Sequence, residues 1–195
     1  MGHDKARLDY AGASALERVV ALVSGVVDEV FVSVGAGQAD DALRARYRCL
    51  HDPWPGEGPM AGVLAALAHA PGAAWMVVAV DLPLLDRPTL DALVSARDPR
   101  RDAVVYVSSA DQRLEPLCAL YEASARAPLA AAFERGERSL SRALEGLELV
   151  RLQPVNPRAL FNANTPEEAA DARTALSTGT GHDGGGRAVG PRRRR

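Results

Sequence analysis

The chain has 195 residues, 47% of them apolar, and a net charge of −2. That length encloses one sizeable core and leaves little room for two full domains. No stretch approaches the roughly 18 uninterrupted apolar residues of a membrane span, and the N-terminus lacks the charged-then-apolar pattern of a secretion signal, so a soluble cytoplasmic protein with no membrane partner is expected. Five arginines against one aspartate within 177–195 leave the rest of the chain at −6, an acidic body with no electrostatic footprint for a nucleic-acid polymer. Cys49 and Cys118 lie far apart in apolar segments with no histidine at ligand spacing. This speaks against a disulfide framework or a zinc site, and for buried structural thiols.

In chain order, Leu16, Val19, Val20 and Val23 recur at the spacing of one helix face, and Gly25 ends the run before an apolar strand, Val30 to Val34. Met60, Val63, Leu64 and Leu67 repeat the helical spacing, closed by Pro71-Gly72. The run Trp75 to Val80 is apolar without alternation, which reads as a strand buried on both faces. A helix follows from Arg87-Pro88 to about Ala96, then strands at Ala103–Val107 and around Leu117–Tyr121, then helices near Ala125–Glu134 and Leu140–Leu147. Thr165-Pro166-Glu167-Glu168 announces a last helix with a capping box. From Ser177 onward six glycines and few apolar residues predict a disordered tail (177–195) behind a single domain (1–176). Strand-helix alternation predicts an α/β protein with a mostly parallel sheet covered on both faces, and ligands bind beyond the carboxyl ends of such strands.

Four features carry candidate chemistry. Asp81 closes the most apolar strand and is followed by the turn Leu82-Pro83; its hard oxygens suit magnesium, or it caps the next helix. Asp52 opens a loop dense in proline and glycine through Gly62. Its two oxygens match the adjacent donors of guanine, while an ordinary surface turn is the other reading. Lys5 precedes any recognisable element and could stabilise a triphosphate, or be a solvated charge. Asn162 and Asn164 alternate on what reads as a short strand, placing both amides on one side toward a metal, with turn chemistry as the alternative.

Together and in order, these features resemble the molybdenum cofactor guanylyltransferases of the MobA-like nucleotidyltransferases. The pieces are Met1-Gly-His-Asp-Lys5-Ala, Asp52-x-x-Pro-Gly-x-Gly-Pro-Met-Ala-Gly62, Val80-Asp-Leu-Pro-Leu-Leu85, Glu115-Pro-Leu-Cys-Ala-Leu-Tyr121 and Phe161-Asn-Ala-Asn-Thr-Pro-Glu-Glu168. The resemblance implies a Rossmann-like three-layer α/β/α sandwich that transfers GMP from GTP to molybdopterin with Mg2+ and releases pyrophosphate. It assigns magnesium to Asp81, guanine to Asp52 and phosphate contact to Lys5. Ser33 would make a polar nucleoside contact, and Asn164 with Asn162 would complete the metal side. GTP and molybdopterin are the implied small-molecule partners, with molybdoenzymes or cofactor-delivery proteins as protein partners. A related nucleotidyltransferase using CTP or another phosphorylated acceptor, and a truncated non-catalytic cofactor-binding paralogue, are the alternatives.

Family members begin with an apolar strand and a Leu-Ala-Gly-Gly-x-Ser-x-Arg loop directly before the Met-Gly-x-Asp-Lys segment, and neither is in this sequence. Two origins are open, a start codon assigned too late and a true truncation; the undamaged pattern downstream favours the first. Since that strand would lie at the centre of the sheet and its loop would cradle the phosphates, the expectation is a gap between two strands, weak GTP binding and marginal folding.

Overall fold

The computed structural model describes residues 4–35, 37–38, 41–108 and 111–179. A short hairpin, β1 (Asp9–Tyr10) and β2 (Ala13–Ser14), opens into α1 (Ala15–Val23). The helix starts at Ser14 because that side chain accepts from the Glu17 amide while the Glu17 carboxylate accepts from the Ser14 amide, a closed capping box. Then come β3 (Phe31–Val34), β4 (Arg48–His51), α2 (Pro59–His69), β5 (Trp75–Val78), α3 (Arg87–Ser95), β6 (Ala103–Val107), β7 (Leu114–Tyr121), α4 (Arg126–Glu134), α5 (Leu140–Leu144), β8 (Leu149–Leu152) and α6 (Pro166–Gly179). No helix among the described residues is long and apolar enough to cross a membrane.

Alternating side chains of the central strands build the two faces. Ala103 and Val105 of β6 and Ala119 and Tyr121 of β7 pack against Met60, Val63 and Leu67 of α2, Leu129 of α4, and Leu140 and Leu144 of α5. Val104 and Tyr106 of β6, with Cys118 and Leu120 of β7, pack instead against Val19 and Val23 of α1 and Leu90 and Leu93 of α3. All five β6 residues are buried, as a strand covered on both sides requires. The layers are therefore helix, sheet, helix. Within the sheet β5-β7-β6-β8 only β7 opposes its neighbours. Six residues join it to β6, enough for a hairpin but too few for a parallel crossover.

The sheet comes in two pieces. β3 pairs with β4 in parallel, β5 pairs with β7, and among the described residues neither β3 nor β5 has a second neighbour. Both free edges line one cavity of about 840 Å³, through Val30, Val32 and Ser33 on one side and Val77, Val78 and Val80 on the other. Val19 and Val20 of α1 and Val63 and Ala66 of α2 complete its apolar wall. The gap expected at the sheet centre is thus present. It corrects the expectation for β5, whose four residues are half-buried rather than enclosed because one edge opens on this space. We predict that the native chain binds an apolar fluorescent dye such as ANS saturably, with the signal lost on unfolding in urea. No native-state enhancement would mean that the cavity closes in solution.

Several local expectations shift. β5 ends at Val78 rather than Val80, and α5 stops at Leu144 rather than Leu147. β4, β8 and the β1–β2 hairpin were not legible. Phe161–Asn164 is not a strand: it follows a 3-10 helix, Pro157–Leu160, and makes a single backbone bond to Asp81 instead of a ladder. α6 carries Ser177 into helix through Gly179, and the rest of the predicted tail, 180–195, lies outside the described residues. Cys118 is buried as expected, its thiol pushed up to about 12 by desolvation, whereas Cys49 is only half-buried.

Candidate active site

Asp81 reaches its position through backbone geometry. The Ala79 amide still donates to the Leu117 carbonyl at 2.8 Å, extending the β5–β7 ladder one step before the chain turns at Leu82-Pro83. Asp81 then accepts the Ala163 amide on its own carbonyl at 3.0 Å, which draws the segment before α6 against the carboxyl end of β5. The segment is locked from its other side by the predicted capping box. Glu168 accepts the amides of Asn164 and Thr165 at 2.7 and 2.8 Å, and these bonds, the Asn164 one foremost, hold its carboxyl below the ordinary range.

Lys5 opens a 3-10 helix, Lys5–Arg7, rather than preceding all structure. Its ammonium donates to Asp81 Oδ2 at 2.9 Å and to Asn164 Oδ1 at 2.6 Å. Three of the candidate residues, 76 and 159 positions apart in sequence, therefore meet at one nitrogen. Lys5 is also the only lysine in a chain with 23 basic residues. Asn162 is half-buried and, among the described residues, makes no side-chain hydrogen bond, so of the two asparagines only Asn164 joins the Lys5 contacts.

The Asp81 carboxylate and the Asn164 amide oxygen both point at a single cation, at present the ammonium of Lys5. That hard-oxygen pair fits magnesium, which takes one or two protein carboxylates and fills its octahedron with water and phosphate oxygens. Among the described residues no cluster of three His, Cys, Asp or Glu side chains is placed to hold a metal.

Ser33 and Asp52 belong to the other sheet piece. The Asp52 amide donates to the Val34 carbonyl at 2.9 Å, just past the end of β4, and its Oδ1 accepts the Trp54 amide at 2.8 Å. Both residues line the large cavity with Gly58, Pro59 and Gly62, whereas Lys5, Asp81 and Asn164 do not. Among the described residues no hydrogen bond joins Asp52 or Ser33 to the lysine cluster; the candidates form two groups rather than one. Gly62 lies so near Ser33 that an added Cβ would sit 3.2 Å from its hydroxyl. Gly58 caps α2 at φ 81° and ψ −172°, a region open only to glycine. Gly58→Ala is expected to destabilise the chain by about 1–3 kcal/mol, read as a lowered urea midpoint at unchanged slope.

Residues beyond the sequence candidates shape the site. Arg44, 6% exposed, donates to both oxygens of Asp4 at 2.7 and 2.8 Å and to Asp41 at 2.5 Å. Nothing in the sequence marks Arg44 apart from the other arginines of its segment. Glu115 on β7, half-buried, is pushed above the ordinary carboxylate range by desolvation and then by the charge of Asp111. Its Glu-Pro-Leu-Cys context was visible in sequence, its burial was not.

The profile of the MobA-like NTP transferase domain matches residues 1–154. A probable molybdenum cofactor guanylyltransferase from Chloroflexus aggregans is 34% identical over 188 residues, covering 91% of this chain and 89% of that protein. The molybdenum cofactor guanylyltransferase of Pseudomonas syringae pv. tomato is 32% identical over 168 residues, covering 85% and 82%. Among solved structures, molybdopterin-guanine dinucleotide biosynthesis protein A from Archaeoglobus fulgidus superposes with a TM-score of 0.76 at 26% identity, covering 91% of this chain and 92% of the other. The 2-C-methyl-D-erythritol 4-phosphate cytidylyltransferase of Thermus thermophilus shares the fold, with a TM-score of 0.66 at 21% identity, covering 89% and 94%. With its helix-sheet-helix layers and a lysine-carboxylate pair at the end of β5, the chain belongs to the MobA-like nucleotidyltransferase family.

Proposed function

We propose that the chain transfers GMP from GTP to the terminal phosphate of molybdopterin and releases pyrophosphate. The observation that carries this reading is the convergence of the Lys5 ammonium with the oxygens of Asp81 and Asn164 at the carboxyl end of β5, in a chain of this family. An acceptor phosphate oxygen attacks the α-phosphorus of GTP in line, a new P–O bond forms, and the bond to the β-phosphate oxygen breaks. The protein's part is to position the groups and to neutralise charge, with no covalent enzyme intermediate.

Asp81 and Asn164 would hold Mg2+, which supplies Lewis-acid stabilisation of the phosphate oxygens when bound. Lys5, held beside Asp81 and Asn164, would offer its ammonium to the triphosphate. At about 4 Å and an effective dielectric near 20, an ammonium is worth up to about 4 kcal/mol to a neighbouring negative charge. Asp52, one of whose oxygens already takes the Trp54 amide, retains acceptor sites for the N1–H and exocyclic amine of guanine. Ser33, which lines the same cavity, would be a polar contact for the nucleoside.

The test is pyrophosphate release with molybdopterin and Mg2+ from GTP, CTP and ATP in competition. GTP is expected to be used at least about tenfold better, the discrimination that one lost pair of base hydrogen bonds produces. Equal use of CTP would reject Asp52 as the guanine contact, and no transfer from any nucleotide would reject the reaction itself.

A further inference from the structure

We infer that Arg44 is a positioning residue: by clamping Asp4 it aims Lys5 at Asp81 and ties the β3–β4 piece of the sheet to the reaction centre. As a role in GMP transfer, this rests on the function proposed above.

Arg44 stands in the 3-10 helix Arg44–Arg46, within the connection from β3 to β4. Its guanidinium is 8% exposed as a side chain, and its forked geometry takes both oxygens of Asp4 while a third bond goes to Asp41. Arg7 closes the group by donating to the other Asp41 oxygen at 2.5 Å. Two arginines and two aspartates thus alternate in sign across the interface between the N-terminal turn and the β3–β4 connection. The hydrogen bond from Arg44 keeps Asp4 below the ordinary carboxylate range, so the link is ionised at neutral pH.

The clamp acts on Lys5 through one residue. Asp4 is the cap of the 3-10 helix that Lys5 begins: its Oδ1 accepts the Ala6 amide at 3.1 Å while also bonded to Arg44. Holding that oxygen fixes the first turn and with it the direction in which the lysine leaves the backbone. Ala6, buried with Leu16, Val32 and Val34, anchors the same turn from below. With no neighbour for β3 other than β4 among the described residues, hydrogen bonds of the sheet do not connect Ser33 and Asp52 to Asp81. The charged clamp supplies a connection between the two groups of site residues that the sheet does not.

The chain's single lysine makes this measurable without turnover. Protein grown with 15N-lysine has one side-chain ammonium resonance, that of Lys5, whose proton exchange with water reports its anchoring. Arg44→Gln is expected to accelerate that exchange by about tenfold or more, the scale of one lost charge-assisted hydrogen bond, and Arg44→Lys to restore it in part. Asp4→Asn, at a solvent-exposed cap, is expected to do the same if Arg44→Gln does not fold. An unchanged Lys5 resonance in folded Arg44→Gln, or in Asp4→Asn, would overturn the inference. Since the resonance needs no GTP or acceptor, a chain that failed to transfer GMP would overturn the proposed reaction and leave the clamp to be judged by this signal alone.

Discussion

Asp81→Ala is expected to lower GMP transfer by about three orders of magnitude, equivalent to about 4 kcal/mol of transition-state stabilisation, with the fold intact. The substitution removes the carboxylate that, among the described residues, holds Lys5, and at which a divalent cation would be bound. The backbone stays as it is: the Asp81 carbonyl still accepts from Ala163, and the Ala79 amide still donates to Leu117. The side chain is a partly exposed member of an ion pair, so its removal costs little stability. Pyrophosphate release under single-turnover conditions, with a urea melt on the same sample, separates chemistry from folding. A variant that unfolds at the wild-type midpoint yet transfers GMP at the wild-type rate would remove Asp81 from the mechanism.

Lys5→Ala is expected to lower the rate by about a hundredfold to a thousandfold, within the Coulomb stabilisation one ammonium offers a nearby phosphate. Lys5→Arg is expected to recover little. Nζ fits between two oxygens, at 2.9 and 2.6 Å, as a compact donor, and the wider guanidinium fork cannot replace it there. Because Lys5 and Asp81 meet directly, their effects should not add: the double variant is expected to lose little more than Asp81→Ala alone. Full additivity would mean that the contact seen here plays no part in turnover. With no other lysine in the chain, loss of amine labelling at this position is an internal check on each preparation.

How much of this was legible in sequence follows from the range of the interactions concerned. Amphipathic spacing in α1 and α2, Pro88 in the first turn of α3, and the capping box of α6 act within a few residues, and each produced the element expected. β4 and β8 were missed because Arg48 and Arg151 interrupt short apolar runs, and what makes those runs strands is pairing with β3 and β6. The short strand expected at Asn162–Asn164 is absent for the same reason. A strand needs a paired ladder, and this segment has a single backbone bond to Asp81.

The sequence by itself determined the alternation of helices and strands, the turn that stops the chain at Asp81, and the residue types offered to a nucleotide. Tertiary structure alone decided that Lys5, Asp81 and Asn164 share one point, that Ser33 and Asp52 stand apart from them on a second sheet piece, and that Arg44 is buried between two aspartates. The physical reason is distance along the chain. Helix faces and caps are set by neighbours within one or two turns, whereas each of these meetings joins segments whose approach depends on the packing of the whole core.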